Sequence, residues 1–298
     1  TNNFGNEPLY FMSRAGSSLI NSGKLDDVRV YNRVLSADEV RALYDAGAAR
    51  INSSPTDFLT NGRVGHWTLD GAEVPWTSAT AATATDRSGN GNTGTLTNMS
   101  QSASPAAGQI GQALSFDGAN DFTSCTDAAC GGTTAGKLDM GTSDWTIASW
   151  LKTSSTSAPA VATKMWYFGG TNDDGWGMLL SSGGKLQGAV RKNGTGEVTS
   201  TADGTSVNDN AWHHVVVAFD RDDKMVRYVD GTQTGTQDSI ASLNGVSVDN
   251  VKQFRIGARE VSGDELYFAG SIDDVRVYNR VLSADEVRAL YQAGASSR

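Results

Sequence analysis

Nineteen consecutive residues occur twice in this 298-residue chain, and the two copies are identical. The first copy runs from Asp26 to Tyr44 and the second from Asp273 to Tyr291, an offset of 247 residues (273 − 26). This offset exceeds the roughly 20 to 50 residues of solenoid repeats and approaches the length of one large β domain. The sequence therefore predicts a complete domain over residues 63–295, a linker over 49–62 and, over residues 1–48, the C-terminal fragment of a preceding module of the same kind.

Each copy combines a strand pattern with a helix pattern. Valines alternate with other residues over 28–31, which is the period of a strand with one buried face. Ser36 and Glu39, which recur as Ser283 and Glu286, then form the S-x-x-E capping box that begins a helix. We expect two strands and a closing helix in the N-terminal fragment. Because an isolated hairpin is marginal in water, that fragment has to pack against another element.

The composition excludes some classes of partner. The chain carries 24 Lys and Arg against 33 Asp and Glu, a formal net charge of −9, so phosphate backbones would repel it. Neither nucleic acid nor an anionic membrane surface is therefore an expected partner, and no apolar stretch approaches the length of a membrane span. The start at Thr1 shows no signal peptide, so any export signal or anchor would lie in sequence outside this chain.

Two cysteines, Cys125 and Cys130, lie close together in a segment rich in Gly, Thr and Ser. This spacing favours a small local disulfide in an oxidising compartment, which places the protein outside the cell or at its surface. The alternative is a pair of free thiols in a cytosolic protein. A zinc site is disfavoured because two further ligands would have to come from only three histidines.

The rest of the chain has the pattern of an all-β protein. Residues 63–282 contain twelve short strand-like segments separated by turn residues, and no amphipathic helix precedes the closing one. Asp230 and Gly231 form a strong two-residue hairpin signal. The glycine-rich segment 86–94 lacks the lysine and the following helix of a phosphate-binding loop, so we interpret it as a turn. The pattern predicts two stacked antiparallel sheets with a short C-terminal helix.

Six segments of these strands resemble a known superfamily. They are DRSGNGNTGTL (86–96), ALSFDGANDF (113–122), DWTIASWLK (144–152), WHHVVVAFD (212–220), YVDG (228–231) and GSIDDVRVYNRVLSADEVRALY (270–291). In this order they resemble the bacterial form of the laminin-G-like, concanavalin A-like lectin/glucanase superfamily. The resemblance implies an antiparallel jelly-roll sandwich. The segment 123–138, which holds both cysteines, departs from the short loop usual at that point.

The fold is shared by enzymes and binding modules, so catalysis needs its own test. Glycoside hydrolases of this fold place paired carboxylates at alternating positions of one strand, as E-x-D-x-x-E or a close variant, and no such motif occurs here. A G-x-S-x-G nucleophile elbow is also absent. His213 and His214 are neighbours on a predicted strand and point to opposite faces, while Trp150 and Trp212 are expected to be core anchors. We expect a non-catalytic protein.

The resemblance implies a structural calcium ion. Relatives hold one near the closing strand, where the first Asp of I-D-D-V-R-V-Y is the expected ligand. The implied ligands in this chain are Asp70, Asp117, the carbonyl oxygen of Gly118, and Asp273, and oxygen donors of these kinds suit calcium. The alternative is that Asp273 and Asp274 only protect a sheet edge or pair with Arg276. By the same mapping, Asp26 would be the equivalent ligand in the N-terminal fragment.

The resemblance also implies a sugar-binding surface. Lectins of this fold use exposed aromatic rings and amides, and one predicted hairpin of this chain places such residues side by side. The candidate ligand-binding residues are Trp166, Tyr167, Asn172, Asp173, Asp174 and Trp176. The alternative is a pair of ordinary core strands joined by an Asn-Asp-Asp turn.

Two functions therefore remain open. The first is a recognition or adhesion module that binds a glycan or an extracellular protein, with a structural calcium ion. The second is a structural repeat of a surface fibre or filament, in which the N-terminal strands assemble with neighbouring copies of the chain.

Overall fold

The computed structural model describes residues 28–35, 40, 57–131, 137–167, 174–192, 194–261 and 266–296. The chain divides into two units, Thr1–Asp57 and Phe58–Arg298, and each is described by itself. In the described ranges, no helix has the length and apolar character needed to cross a bilayer. The predicted capping box at Ser36 and Glu39, and the predicted ligand Asp26, lie outside the described residues.

In the first unit, residues 28–35 form neither a strand nor a helix, and Val40 is helical. The valine alternation predicts a strand here, and that prediction is wrong for these residues. A strand needs a neighbouring strand to pair its backbone N–H and C=O groups. In the second unit the identical residues 275–278 have such neighbours and form part of a strand.

From residue 57 onward, the described residues form nineteen strands and three short helices, with one 3-10 turn at Ala241–Leu243. The strands are β1 (Arg63–Trp67), β2 (Trp76–Ser78), β3 (Ala81–Ala84), β4 (Gly94–Thr97), β5 (Pro105–Ala107), β6 (Gln112–Asp117), β7 (Phe122–Cys125), β8 (Trp145–Lys152), β9 (Ala160–Tyr167), β10 (Gly175–Leu180), β11 (Leu186–Lys192), β12 (Gly196–Thr199), β13 (Trp212–Phe219), β14 (Lys224–Val229), β15 (Thr232–Ser239), β16 (Phe254–Ile256), β17 (Ala258–Val261), β18 (Leu266–Tyr267) and β19 (Ala269–Tyr278). The helices are α1 (Asp57–Thr60), α2 (Asp127–Cys130) and α3 (Ala284–Ala295).

Two large antiparallel sheets form a sandwich, and the short helix α3 follows the last strand near the C-terminus of the chain. This arrangement confirms the predicted fold class. The helix-side sheet, whose outer face carries α3, has the order β15-β14-β13-β8-β19-β6-β5. Strand β1 pairs with β19 beyond the end of β6, on the same edge. The far sheet has the order β12-β11-β10-β9-β16-β7-β4-β3-β2, with β17 and β18 attached through β9. Every pairing of the described strands is antiparallel except that of β17 with β9.

The main core lies between the two sheets and is rich in aromatic rings. Trp145 stacks on Phe219 with ring centroids 4.5 Å apart, and Trp67 stacks on Phe254 at 4.9 Å. Each fully buried side chain of this size contributes on the order of 2 to 3 kcal/mol through the hydrophobic effect. This core explains why the strand pattern of the sequence is so regular.

A second cluster lies between the helix-side sheet and α3, so that β8 is buried on both faces. The cluster consists of Ala148, Val216, Tyr228, Tyr278, Leu282, Val287 and Leu290. The predicted capping box begins α3: the Glu286 backbone N–H donates to Ser283 Oγ, and the Ser283 N–H donates to Glu286 Oε2 at 2.8 Å. The Tyr278 hydroxyl donates to the Leu59 carbonyl at 2.9 Å and so attaches α1 to the same cluster.

The predicted turns and the predicted disulfide are present. Asp230 and Gly231 join β14 to β15, and residues 86–93 of the glycine-rich segment form the turn between β3 and β4, with Gly94 as the first residue of β4. Cys125, at the end of β7, is bonded to Cys130, at the end of α2, with Cα atoms 5.9 Å apart. The pairing is confirmed. The described part of the segment 123–138 thus begins with the end of β7 and continues with a helical turn that the disulfide links to that strand.

Candidate functional site

The structure describes the surroundings of two of the six predicted sugar-binding residues, Trp176 and Asp174. Trp176 is 1% exposed and packs in the main core, where its ring lies 6.1 Å from that of Trp145, so its assignment to an exposed platform is corrected. The reason is that β10 is buried on both faces, and the acidic turn before it hides this in the sequence. Asp174 forms an ion pair with Lys192, whose Nζ donates to Asp174 Oδ2 at 2.6 Å.

The other four predicted sugar-binding residues are not tested. Trp166 and Tyr167 lie in β9, and the structure gives no description of their side chains. Asn172 and Asp173 lie outside the described residues. A binding role for these four residues stays a prediction.

The predicted calcium ligands fall into two groups. Asp70 and Asp273 both hold the turn of residues 108–112: Asp273 Oδ2 accepts from the Ile110 N–H at 2.8 Å, and Asp70 Oδ1 accepts from the Gln112 N–H at 2.6 Å. Asp117, by contrast, pairs with Ala269, which precedes Asp273 by four residues. At about 3.3 Å per residue, the second group is roughly 13 Å away along the strand.

The residues present therefore fit only part of the calcium prediction. Asp117 Oδ1 accepts backbone N–H groups of its own turn, including that of Ala119 at 2.8 Å. Asp117 and Gly118 are therefore separated from the pair formed by Asp70 and Asp273. Over the described ranges, no cluster of three or more His, Cys, Asp or Glu side chains has the arrangement of a metal site. One oxygen still calls for a partner: Asp273 Oδ1 is buried and has no hydrogen bond to any described residue.

The two adjacent aspartates of the closing strand differ sharply in their electrostatics. Burial raises the pKa of Asp273 to about 8, and the nearby carboxylates of Asp274 and Asp70 add to the rise. Burial also acts to raise the pKa of Asp274, but Arg276 and a hydrogen bond with His66 outweigh it and hold that pKa well below its usual range. The charge of Asp274 is thus balanced by Arg276, whereas no cation contributes to the pKa of Asp273.

A pocket lies beside this strand, on the outer face of the helix-side sheet and next to the C-terminal end of α3. It has a volume of about 270 Å³. The residues that line it are Gln109, Trp150, Trp212, Asp230, Tyr291 and Ala295. Three aromatic rings, one carboxylate and one amide therefore meet at this place.

The elements of the fold bring these residues together from distant parts of the sequence. Trp150 comes from β8, and its ring stacks on that of Tyr291 in α3 with centroids 5.7 Å apart. The helix can approach this closely because residue 294 is glycine: a Cβ atom there would lie 2.5 Å from Trp150 Nε1. Gln109 donates from Nε2 to the Gly294 carbonyl at 3.2 Å, which fixes the turn against the helix end.

Asp230 is held in place by two neighbouring histidines. Its Oδ2 lies 2.8 Å from His213 Nδ1, and its Oδ1 accepts the His214 backbone N–H at 2.9 Å. The hydrogen bond to Asp230 raises the pKa of His213, with a further contribution from Asp209, whose Oδ1 lies 3.1 Å from His213 Nε2. Burial lowers the pKa of His214 to about 4, so this ring is neutral at physiological pH.

Sequence reasoning identified some of these residues but assigned them other roles. The two histidines do point away from each other, since the His214 ring packs beside that of Trp150 with centroids 5.2 Å apart, whereas the His213 ring contacts Asp230 and Asp209. Trp150 is buried as expected, but on the outer face under α3, and Trp212 is only half-buried at the pocket. In the sequence, the start of a strand at Trp-His-His together with the Asp-Gly hairpin was the available signal for the pocket. No sequence signal pointed to Gln109 or Tyr291.

A family model matches more than half of the chain. It is Laminin_G_3, described as the concanavalin A-like lectin/glucanases superfamily, and it matches residues 127–288. The matched range includes Trp150, Trp212 and Asp230 of the pocket. Comparison with curated proteins found no match.

Solved structures share the fold at low sequence identity. The binding domain of Paraclostridial Mosquitocidal Protein 1 is similar with a TM-score of 0.59 and 15% identity, over 79% of this chain and 53% of that one. The receptor binding domain of botulinum neurotoxin C/D mosaic serotype is similar with a TM-score of 0.54 and 12% identity, over 78% of this chain and 52% of that one. The chain spans about half the length of these two toxin domains.

A third structure matches over almost its whole length. Domain 4 of AbnA, a GH43 extracellular arabinanase from Geobacillus stearothermophilus, was solved in complex with arabinotriose. It is similar with a TM-score of 0.54 and 17% identity, over 77% of this chain and 98% of that one. At such identities the likeness establishes a common fold and nothing about the ligand.

Proposed function

The chain belongs to the concanavalin A-like lectin/glucanases superfamily, and on that premise we propose that it is a non-catalytic recognition module that binds a neutral sugar in the pocket at the end of α3. The observation that carries this proposal is the lining of the pocket, in which Trp150, Trp212 and Tyr291 stand beside Asp230 and Gln109. Aromatic rings cover the apolar faces of a sugar, and carboxylate and amide groups bond its hydroxyls.

The hydrogen-bonding capacity of Asp230 supports this assignment. A carboxylate offers about four lone-pair positions, and two of those of Asp230 are used by His213 and His214. The remaining positions suit donating hydroxyl groups.

The size and the charge of the pocket narrow the ligand. A volume of about 270 Å³ lies near the lower end of the roughly 300 to 1,000 Å³ of small-molecule sites, so it suits one sugar ring or the end of a chain. Two carboxylates, Asp230 and Asp209, share one imidazole, that of His213, and the C-terminal end of a helix carries partial negative charge. We therefore expect a neutral sugar to bind better than a sialylated or sulfated one.

The same residues argue against catalysis. Glycoside hydrolysis uses a pair of carboxyl groups flanking the scissile bond, and Asp230 is the one carboxylate among the six residues that line the pocket. His214 is neutral and buried, and His213 is engaged by two carboxylates, so neither histidine is placed to transfer a proton to a ligand. Binding without reaction is the function that these groups serve.

Three further features belong to the proposal. We place the protein outside the cell, where the Cys125–Cys130 disulfide is stable, and the sugar can be part of an extracellular glycoprotein. We propose a calcium ion for Asp70 and Asp273 alone, where a bound cation would favour the ionised form of the buried Asp273 carboxyl group. Asp117 and Gly118 would not contribute to the same ion.

A glycan array followed by calorimetric titration of the best neutral glycan tests the proposal. We expect Trp212→Ala to weaken binding at least tenfold, because it removes the half-buried ring of the pocket lining. Asp230→Asn should weaken binding as well. Asp222→Asn, in the exposed turn before β14, is the matched control and should bind normally. The proposal fails if no neutral glycan binds, or if Trp212→Ala and Asp230→Asn, shown to be folded, bind as the unmodified chain does.

A further inference from the structure

A lysine side chain lies inside the sandwich. Lys164 belongs to β9 and is 0% exposed. It is the cross-strand partner of Trp176, whose ring packs in the main core, and cross-strand partners lie on the same face of a sheet. The Lys164 side chain therefore points into the space between the two sheets. Lysine is almost never fully buried, because transferring an ammonium group out of water is costly.

The amine of Lys164 is surrounded by oxygen atoms from three separate segments. Its Nζ lies 2.8 Å from Asp139 Oδ1 and 2.9 Å from Asp127 Oδ1, and it donates to the Asn250 carbonyl at 2.7 Å. Asp127 is the first residue of α2, Asp139 precedes β8, and Asn250 precedes β16. None of these residues lines the pocket of the proposed sugar site. This cluster is a second, separate place where reactive groups meet.

The two carboxylates around the amine differ in their access to water. The side chain of Asp139 is 8% exposed, whereas that of Asp127 is 31% exposed. One carboxylate is thus enclosed with the amine, and the other connects the pair to solvent. A buried ion pair recovers only part of the hydration that its two charges lose, so a reaction that removes both charges is favoured at such a place.

We propose that Lys164 and Asp139 condense to an isopeptide bond, an amide between their side chains, with Asp127 as the group that carries the protons. Asp127 takes a proton from the Lys164 ammonium group and passes it to the Asp139 carboxylate, which becomes a neutral carboxyl group. The free amine then attacks Asp139 Cγ and forms the C–N bond. A second proton from the nitrogen passes through Asp127 to the departing hydroxyl group, the C–O bond breaks, and water leaves.

This step balances without any further reactant. One ammonium group and one carboxylate become one neutral amide and one water molecule, and Asp127 returns to its starting form. Groups held in fixed contact react as if they were present at roughly 10⁵ to 10⁸ M, which offsets the unfavourable equilibrium of amide formation in water. The low exposure of Asp139 keeps water from the new bond. The Asn250 carbonyl, which accepts from Lys164 Nζ, suits the single N–H that the amide retains.

The bond would link the two sheets of the sandwich. Strand β8 belongs to the helix-side sheet and β9 to the far sheet, and the bond closes the loop that contains both, from residue 139 to residue 164. The disulfide between Cys125 and Cys130 lies next to it in the sequence, but thiols can open a disulfide and cannot open an amide. The inference rests on the contacts of Lys164 and is independent of sugar binding.

Mass spectrometry of the unmodified full chain tests the proposal directly. After reduction of the disulfide, we expect the intact mass to be lower than the sequence mass by one water molecule. A tryptic digest should contain the peptide of Lys164 joined to the peptide of Asp139. Cleavage after Lys137 separates Asp127 from Asp139, so fragmentation of the joined peptides identifies the aspartate that has reacted.

Four variants distinguish the reaction from a structural ion pair. Lys164→Arg keeps the positive charge but has no primary amine, so it should have its full sequence mass. Asp139→Asn should lose one ammonia molecule in place of water, because the leaving group has changed. Asp127→Ala should have mainly its full sequence mass. Lys224→Arg, at a solvent-accessible lysine of β14, is the matched control and should lose one water molecule as the unmodified chain does.

Three results would overturn the proposal. The first is the full sequence mass for the unmodified chain, because Lys164 would then form ion pairs only. The second is a joined peptide that contains Asp127 or Asn250 in place of Asp139, the latter with the loss of ammonia from the unmodified chain. The third is complete condensation in Asp127→Ala, which would remove Asp127 from the reaction.

Discussion

Asp230 Oδ2 lies 2.8 Å from His213 Nδ1, and the same imidazole approaches Asp209 through Nε2 at 3.1 Å. Both ring nitrogens of His213 thus face carboxylate oxygens, an arrangement that the doubly protonated imidazolium satisfies by donating two hydrogen bonds. Asp230 also accepts the His214 N–H. One carboxylate therefore fixes the start of β13 and lines the pocket at the same time.

The stability of this pair should depend on pH in a defined direction. The pKa of His213 is raised in the folded state by Asp230, so its contribution is fully present below its ordinary value of about 6.5 and is lost as pH rises through the folded pKa. Asp230→Asn should lower the free energy of unfolding by about 1 kcal/mol at pH 6 and by much less at pH 9. Chemical denaturation at both pH values measures the difference. Asn suits the positive φ of 51° at this position, so the turn is retained.

The control for that prediction is Asp222→Asn, which removes an exposed carboxylate from a nearby turn without a histidine partner. It should change the free energy of unfolding little at either pH. An equal loss for Asp230→Asn at pH 6 and pH 9 would contradict the assignment of a charged His213.

The buried His214 should act in the opposite direction. Its pKa is lowered to about 4 by burial, so the unfolded chain binds a proton between about pH 6.5 and pH 4 while the folded chain does not. The folded state consequently loses up to roughly 3 kcal/mol over that interval as pH falls. His214→Phe keeps an aromatic ring beside Trp150 and should lose less stability than the unmodified chain between pH 6.5 and pH 4. Parallel curves for the two proteins would refute this.

The fold could be predicted from the sequence because its signals are local. Alternating residues mark the strands, Asp230 and Gly231 mark a hairpin, and Ser283 with Glu286 mark the start of α3; each of these rests on neighbours within a few residues. The strand predicted at residues 28–31 shows the limit of such signals. The pattern there is the same as in β19, but a strand also needs partners, which the local sequence does not report.

The pocket could not be predicted because it depends on tertiary contacts. Gln109 and Tyr291 meet only because β19 carries α3 back across the sheet to the turn that follows β5. Trp176 was misassigned for a related reason. A strand buried on both faces has no polar side in its sequence, so its tryptophan next to an acidic turn could not be distinguished from an exposed one.

The disulfide should make a modest contribution to stability. It closes a loop of only a few residues, so Cys125→Ser with Cys130→Ser should lower the free energy of unfolding by about 2 kcal/mol. Helix α2 has a second attachment, because the buried Lys164 Nζ pairs with Asp127 at 2.9 Å. We therefore expect the double variant to fold and to bind ligand normally. Denaturation under oxidising conditions checks the loss, and complete unfolding of the variant would contradict it.

Calcium should act through one group of the predicted ligands and not the other. If an ion binds at Asp70 and Asp273, calcium should raise the melting temperature relative to chelator, since a ligand that binds only the folded state stabilises it. Asp273→Asn should remove this shift. Asp117→Asn is the matched control and should retain it, because the strand register separates Asp117 from that place. Loss of the shift in Asp117→Asn alone would reverse the assignment.

The capping box of α3 offers a comparison that the repeat makes unusually direct. The Ser283 side chain accepts the Glu286 N–H at the start of the helix that covers the second cluster, so Ser283→Ala should lower the free energy of unfolding by about 1 kcal/mol. Ser36→Ala makes the same change in the same local sequence of the first copy. Ser36 belongs to the first of the two units, so Ser36→Ala should leave the unfolding transition of the second unit unchanged. Denaturation of the two variants measures the difference, and an equal loss of stability for Ser36→Ala would contradict this assignment of the cap to α3.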